Sequence, residues 1–299
     1  MLYTQEDNTL VEEIRKMGKG NRVWVEILKF LAVSVSANLI MVFVGEIIKK
    51  VFLQEALISE DISMLIQLYE SVLGIGLVIL YCYGIEKRSI MSMGLIKKHI
   101  CKQYIKGVCV GALLISAIVM IGVLFNIFIF DVRNVNVDIK IMFLFLGGFL
   151  LQGFYEEVVF RGFFMISIIR KNTIFVAVMV NSLLFGLTHV LNNGFQVLAL
   201  LNLILFGIFE SIYLLKTGNI WGVSAIHSMW NFIQGAIYGF NVSGMPQSQS
   251  LFTFKINNCE ILNGGTFGLE GSLLTTIVLV SAINMVVLYK KKLILEYKN

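Results

Sequence analysis

Eight runs of about twenty mostly apolar residues, near 27–48, 64–85, 107–130, 139–167, 174–191, 195–215, 219–240 and 271–289, constrain this chain more than any other feature. About 20 apolar helical residues cross a bilayer core. In lipid every backbone polar group must be satisfied within the spanning structure, so only helices and closed barrels serve. These runs lack the alternation of barrel strands. The chain therefore reads as all-α, a polytopic membrane protein with about eight transmembrane helices. Composition agrees: 57% of residues are hydrophobic and 14% charged, with a mean hydropathy of +0.82, whereas soluble domains are about 25% charged.

The longer polar stretches, residues 1–22 and about 240–270, are too short for a soluble domain. The first 22 residues mix acids with bases and lack a signal peptide's apolar core, so the first span is expected to remain as an anchor. Cys82, Cys101, Cys109 and Cys259 are scattered, without a C-x-x-C pair, which argues against a cysteine zinc site or a disulfide framework. A net charge of +5 is small for a nucleic-acid binder. The bases flank the apolar runs and set orientation instead. Arg15, Lys16, Lys19 and Arg22, the 84–106 loop, Arg170, Lys171, Lys216 and the carboxyl tail fall on one side. Lys49, Lys50, Arg133, Lys140 and Lys255 fall on the other. Both termini are thus expected in the cytoplasm, and the membrane is expected to be the cell membrane. The run "LIKKHICKQYIKG" is expected to lie along that surface as a basic amphipathic segment. The fourth run is too long for one upright span and must tilt, project or bend.

Inside the spans the polar residues form three groups. Glu156, Glu157 and Arg161 lie in "FYEEVVFRGFF". Glu157 and Arg161 are four apart and meet on one helix face. Glu156 is rotated about 100° away and is left over. His189 follows Asn181 and Phe185 at steps of four. Ser224, His227 and Asn231 form one stripe of the seventh run. Each group alone fits structural pairing or polar glue between helices, but an ionisable residue inside a membrane marks a functional site by default. Together, an acid, two histidines and an amide on three helices suit hydrolysis. A carboxylate with a histidine holds and deprotonates water, and a second histidine with an asparagine stabilises an oxyanion. The same residues could instead hold a divalent metal such as zinc through Glu156, His189 and His227.

The pattern E-E-x-x-x-R (Glu156, Glu157, Arg161), F-x-x-x-H (Phe185, His189) and H-x-x-x-N (His227, Asn231) resembles the CPBP family, the CAAX-protease and bacteriocin-processing intramembrane proteases also called the Abi family. "RSIMSMGLIKK", "YLLKTGNIWGVSAIHSMWN" and "NGGTFGLEGSLLTTI" resemble its flanking segments. The core likeness covers about 140–240. The chain then divides into an amino tail, 1–22, amino-terminal transmembrane helices with a basic loop, 23–130, and a CPBP-like catalytic region, 131–299. The resemblance implies an eight-helix fold around a hydrophilic cavity. It assigns water activation to Glu156 and His189, and the oxyanion to His227 and Asn231. Glu157 and Arg161 become a supporting ion pair, with Phe185 beside them, and the charges are expected to face the wet cavity. The family site is glutamate-dependent and leaves a metal open. Glu210 is an additional acid that the motifs do not require, expected either to line the cavity or to project near the cytoplasmic end.

The implied partner is a membrane protein or peptide substrate in the lipid bilayer, with no nucleic acid. Two other readings compete. A non-enzymatic scaffold, regulatory or conferring immunity, would be favoured by a degenerate set, yet Glu156, His189, His227 and Asn231 are all intact. A proton-coupled transporter would predict paired repeats, and none is evident. One expectation conflicts with the others. Counted from the cytoplasmic ends of their helices, His189 lies about 24 Å deep and His227 about 12 Å at ~1.5 Å per residue.

Overall fold

The computed structural model describes residues 9–52, 59–131, 137–247, 249–256 and 259–288. Four bases of the carboxyl tail and Arg133, used above for orientation, lie outside these residues. The described chain is almost entirely helical, and five helices are long and apolar enough to cross a membrane. They are Val23–Val51, which contains α2 (Val23–Ile47), Glu60–Ile85, which contains α3 (Glu60–Leu80), α4 (Ile100–Leu124), Ile139–Ile169 and α8 (Val197–Thr217). Two further runs form shorter apolar helices, α7 (Ile174–Leu187) and a last helix over Leu273–Leu288. The remaining run forms α9 (Ile220–Phe232), prolonged by a wider turn over Ile233–Ile237. Exposed Leu39, Phe43, Leu113 and Met120 give the bundle an apolar outer surface.

Local chemistry sets the helix boundaries. Ser59, Asp138, Thr173 and Asn219 cap α3, α5 (Ile139–Glu157), α7 and α9, each side chain accepting a backbone N–H at the helix start, the arrangement that satisfies an otherwise orphaned donor. Gly218 adopts φ 65° and ends α8, a left-handed position that a side chain disfavours. Asn219 then starts α9 at once, so two residues reverse the chain.

The long fourth run resolves as one continuous helix whose geometry changes part-way. After α5 the chain widens into a π-helical segment, Val158–Met165, and closes with α6 (Ile166–Ile169). Arg88, read above as a loop base, is buried here at 3% exposure. Its guanidinium donates to the carbonyls of Gly162 (2.8 Å) and Phe163 (3.3 Å) and to Ser167 Oγ (3.0 Å). It therefore supports the π segment instead of serving only as a surface charge.

Two further expectations are corrected, and one element is added. The basic run 95–107 is not a separate surface segment, because from Ile100 it forms the first turns of α4. The third apolar run ends as a helix at Leu124, and its remainder enters β1 (Phe128–Asp131), which pairs antiparallel with β2 (Thr253–Ile256). Phe128 meets Phe240 at a tilt and Phe254 edge-on, and those two rings stack on each other, which ties this ribbon to the end of α9's extension. The amino tail contains a helix, α1 (Thr9–Lys16), whose Leu10 is fully buried.

Close packing brings the motif helices together. Gly107 and Gly111 on α4 leave no room for a Cβ. One added at Gly107 would lie 2.2 Å from Gly222 O, and one at Gly111 2.5 Å from Ile226 O. Small residues at this spacing let backbones touch where water supplies no drive for helix association. On the opposite side Gly153 of α5 meets Ser228 of α9 in the same way.

Candidate active site

The last turns of α5 carry Gln152, Glu156 and Glu157. A step of four puts Gln152 and Glu156 on one face, while Glu157 and Arg161 share another. Gln152 Nε2 donates to Glu156 Oε1 in a short hydrogen bond, and Gln152 Oε1 accepts from Asn231 Nδ2 at 2.9 Å. Arg161 donates to Glu157 Oε1 at 2.9 Å, with both side chains fully buried. His227 bridges the two faces: Nδ1 lies 2.9 Å from Glu157 Oε1, and Nε2 lies 3.7 Å from Glu156 Oε2. The result is one chain of contacts, Asn231–Gln152–Glu156–His227–Glu157–Arg161, built from α5, its π extension and α9.

Glu157, paired with Arg161, is an acceptor, so His227 offers Nδ1–H to it and turns Nε2 toward Glu156. This is the geometry in which a carboxylate orients an imidazole. Arg161 also lies 4.6 Å over the Phe185 ring, a cation–π contact. The Phe185 ring meets those of His189 and His227 at 5.2 and 6.0 Å. His189 sits just beyond the end of α7, in the turn that follows Leu187. Its Nδ1 is 2.9 Å from Phe185 O. A carbonyl only accepts, so Nδ1 carries the proton and Nε2 keeps its lone pair.

A cavity of about 400 Å³ is lined by Glu156, His189, His227 and Asn231, together with Gln152 and Phe185. The structure thus brings the four expected residues to one space, and the difference in depth expected for the two histidines does not separate them. Two expectations do not hold. Glu157 and Arg161 do not line the cavity but are sealed behind it. Glu210 neither lines the cavity nor projects from a helix end. It is fully buried on α8, neither carboxylate oxygen has a hydrogen-bond partner, and it lies beside Glu157 and His227. Ser224 bonds back to Ile220 O within α9 and takes no part.

Residues 138–233 match the family Type II CAAX prenyl endopeptidase Rce1-like. Over these residues the chain is similar to that family's domain. The match spans α5 to α9 and contains every motif residue above, in agreement with the resemblance seen in the sequence. No curated protein matches the chain. In a chain with five helices long and apolar enough to cross a membrane, this similarity supports an intramembrane protease in general.

Gln152 was missed by motif reading. Its signal was the four-residue step before Glu156, which an uncharged residue does not advertise. Metal binding has a geometric test. Among the described residues, the group of His, Cys, Asp and Glu ligand atoms lying within 4.8 Å of one another is Glu157, Glu210 and His227, not Glu156, His189 and His227. Glu157 Oε1 already accepts from Arg161 and His227, and the Arg161 cation occupies the same buried group. That donor set does not fit a divalent ion.

Proposed function

We propose that this protein is an intramembrane endopeptidase that hydrolyses a peptide bond of a membrane-associated protein or peptide. The observation that carries the proposal is Glu156 Oε2, buried in the cavity wall without a hydrogen-bond partner and 3.7 Å from His227 Nε2. A carboxylate oxygen in that position accepts a water proton. His189 Nε2, with its lone pair free, holds the same water as a second acceptor; the water attacks the scissile carbonyl, and as the tetrahedral intermediate collapses the C–N bond breaks and the amine leaves with the proton that Glu156 took from the water. Asn231 spends one N–H on Gln152 and retains the other for the oxyanion. His227 donates to the oxyanion from Nε2 when it carries both protons. Preorganised donors of this kind contribute about 2.7–4 kcal/mol each in acyl transfer. Glu157 and Arg161 position His227 from behind.

The reaction as drawn needs no metal, and proteolysis should persist after exhaustive dialysis against a chelator. We further infer eight membrane-crossing helices, the shorter ones completing the bundle, with both termini in the cytoplasm of a cell membrane. The test of function compares peptide termini by mass spectrometry in host cells carrying the wild-type chain or Glu156→Gln at equal expression. New termini confined to the wild type support the proposal. Identical termini in both strains contradict it.

A further inference from the structure

Glu210 is a fully buried acid on α8 that the mechanism above leaves without work. One of its oxygens, one of Glu157's and a ring nitrogen of His227 all lie within 4.8 Å of one another. Among the described residues, no N–H or O–H reaches either oxygen of Glu210 or Oε2 of Glu157. The donors nearby are committed elsewhere. Arg161 Nη1 and His227 Nδ1 both serve Glu157 Oε1, and Arg161 Nε and Nη2 reach no acceptor at all. Asn181 of α7 donates to Ser211, and Ser211 donates to Gly207 O. α7 and the helix Leu273–Leu288, which both pack on α8, carry no titratable side chain.

Were both acids ionised, two carboxylates would lie side by side with three of their four oxygens unsatisfied. A buried charge without a donor is strongly disfavoured and takes up a proton instead. Glu157 keeps its charge, because Arg161 and His227 hold it. Glu210 has no such support. A neutral carboxylic acid both donates and accepts, and an acid in an apolar site can stay neutral in order to donate. The unpartnered Glu157 Oε2 is the acceptor at hand. The protonation of His227 does not alter this. With one proton or two, its Nδ1–H serves Glu157 and its Nε2 is turned to Glu156 and the cavity.

We propose that Glu210 is a positioning residue, a neutral carboxylic acid whose O–H donates to Glu157 Oε2. Glu157 is then held at both oxygens, Oε1 by Arg161 and His227 and Oε2 by Glu210. That fixes the plane of its carboxylate, and with it the direction in which His227 presents Nε2. α8 thereby acts on the chemistry although it carries none of the motif residues. The proposal rests on the protease reading above and deepens it.

The test uses the purified full chain in lipid nanodiscs and the substrate nominated by the comparison of peptide termini. Glu210→Met fills the space without a donor and should lower kcat at least about tenfold with KM unchanged, as misplacement of a reacting group does. Glu210→Gln supplies a neutral N–H donor of the same shape and should restore kcat to within about threefold of the wild type. At neutral pH the infrared difference spectrum, wild type minus Glu210→Gln, should show the C=O stretch of a protonated carboxyl group. The infrared band and the Gln variant decide the matter even where Glu210→Met lowers the yield. Carboxylate bands in that spectrum, a Glu210→Gln that is inactive or unfolded, or a Glu210→Met as fast as the wild type would each overturn this inference and leave the protease reading standing. No Glu156-dependent cleavage by the wild type would overturn both.

Discussion

Glu156 and Glu157 are adjacent in sequence, and their surroundings give them different work. Glu156 faces the cavity with one oxygen free, whereas Glu157 is fully buried and holds Arg161 and His227. Removing Arg161 would leave Glu157 buried without its cation, at a cost of roughly 3–5 kcal/mol. Arg161→Ala should therefore lower the yield of folded protein as well as activity, seen as early elution or loss in detergent size-exclusion chromatography. A stable but inactive Arg161→Ala would place Arg161 in the chemistry itself. Gln152 is different, because it positions Glu156 and Asn231 without charge. Gln152→Leu should leave yield unchanged and lower kcat about 10- to 100-fold, as misplacement of reacting groups does. The Glu157–Arg161 pair was legible in the sequence because a four-residue step fixes a helix face. Glu210 was not, because α8's buried face cannot be read without its neighbours.

At the scale of the element, the motif sits where α5 widens into a π-helical segment, a feature frequent at functional sites. Arg88 occupies the carbonyls of that segment from another part of the chain. Its loss would leave charge-assisted hydrogen bonds unmade, each worth about 1.5–3 kcal/mol, so Arg88→Met should lower the thermal unfolding midpoint. Nothing in "EKRSIMSMG" distinguished this arginine from an orienting surface base; only the fold reveals what it reaches. The α4–α9 contact was equally hidden, since Gly107 and Gly111 matter only once Gly222 and Ile226 face them. Gly111→Val should displace α9 and reduce both yield and proteolysis, measured side by side. At α1, hydrogen bonds from Lys16 and Ser89 hold the Glu13 carboxyl below its ordinary value of 4.5. A lowered acid stabilises the docked state above that value and ceases to as pH falls through the lowered one. The protection of α1 amides, measured relative to their intrinsic exchange rate at each pH, should accordingly fall below about pH 4.5 and be unchanged from there to neutral pH.

Across the whole molecule, an apolar shell surrounds a polar interior that converges on one cavity. The shell was readable from run lengths, since lipid forces helices on any such chain. The β1–β2 ribbon and the docked α1 were not, because they depend on partners more than a hundred and 76 residues away in sequence, respectively. The three motifs were readable as candidates because charged and imidazole groups stand out against apolar sequence. Their meeting around Phe185 required the fold. The central claim is that Glu156 activates water to cut a peptide bond. Its most direct test is cleavage of the substrate nominated by the termini comparison, with purified wild type and Glu156→Gln reconstituted in the same bilayer. The account predicts cleavage by the wild type and a loss of at least about 100-fold in Glu156→Gln, with identical chromatographic and circular dichroism profiles. Cleavage by a well-folded Glu156→Gln at the wild-type rate would contradict it.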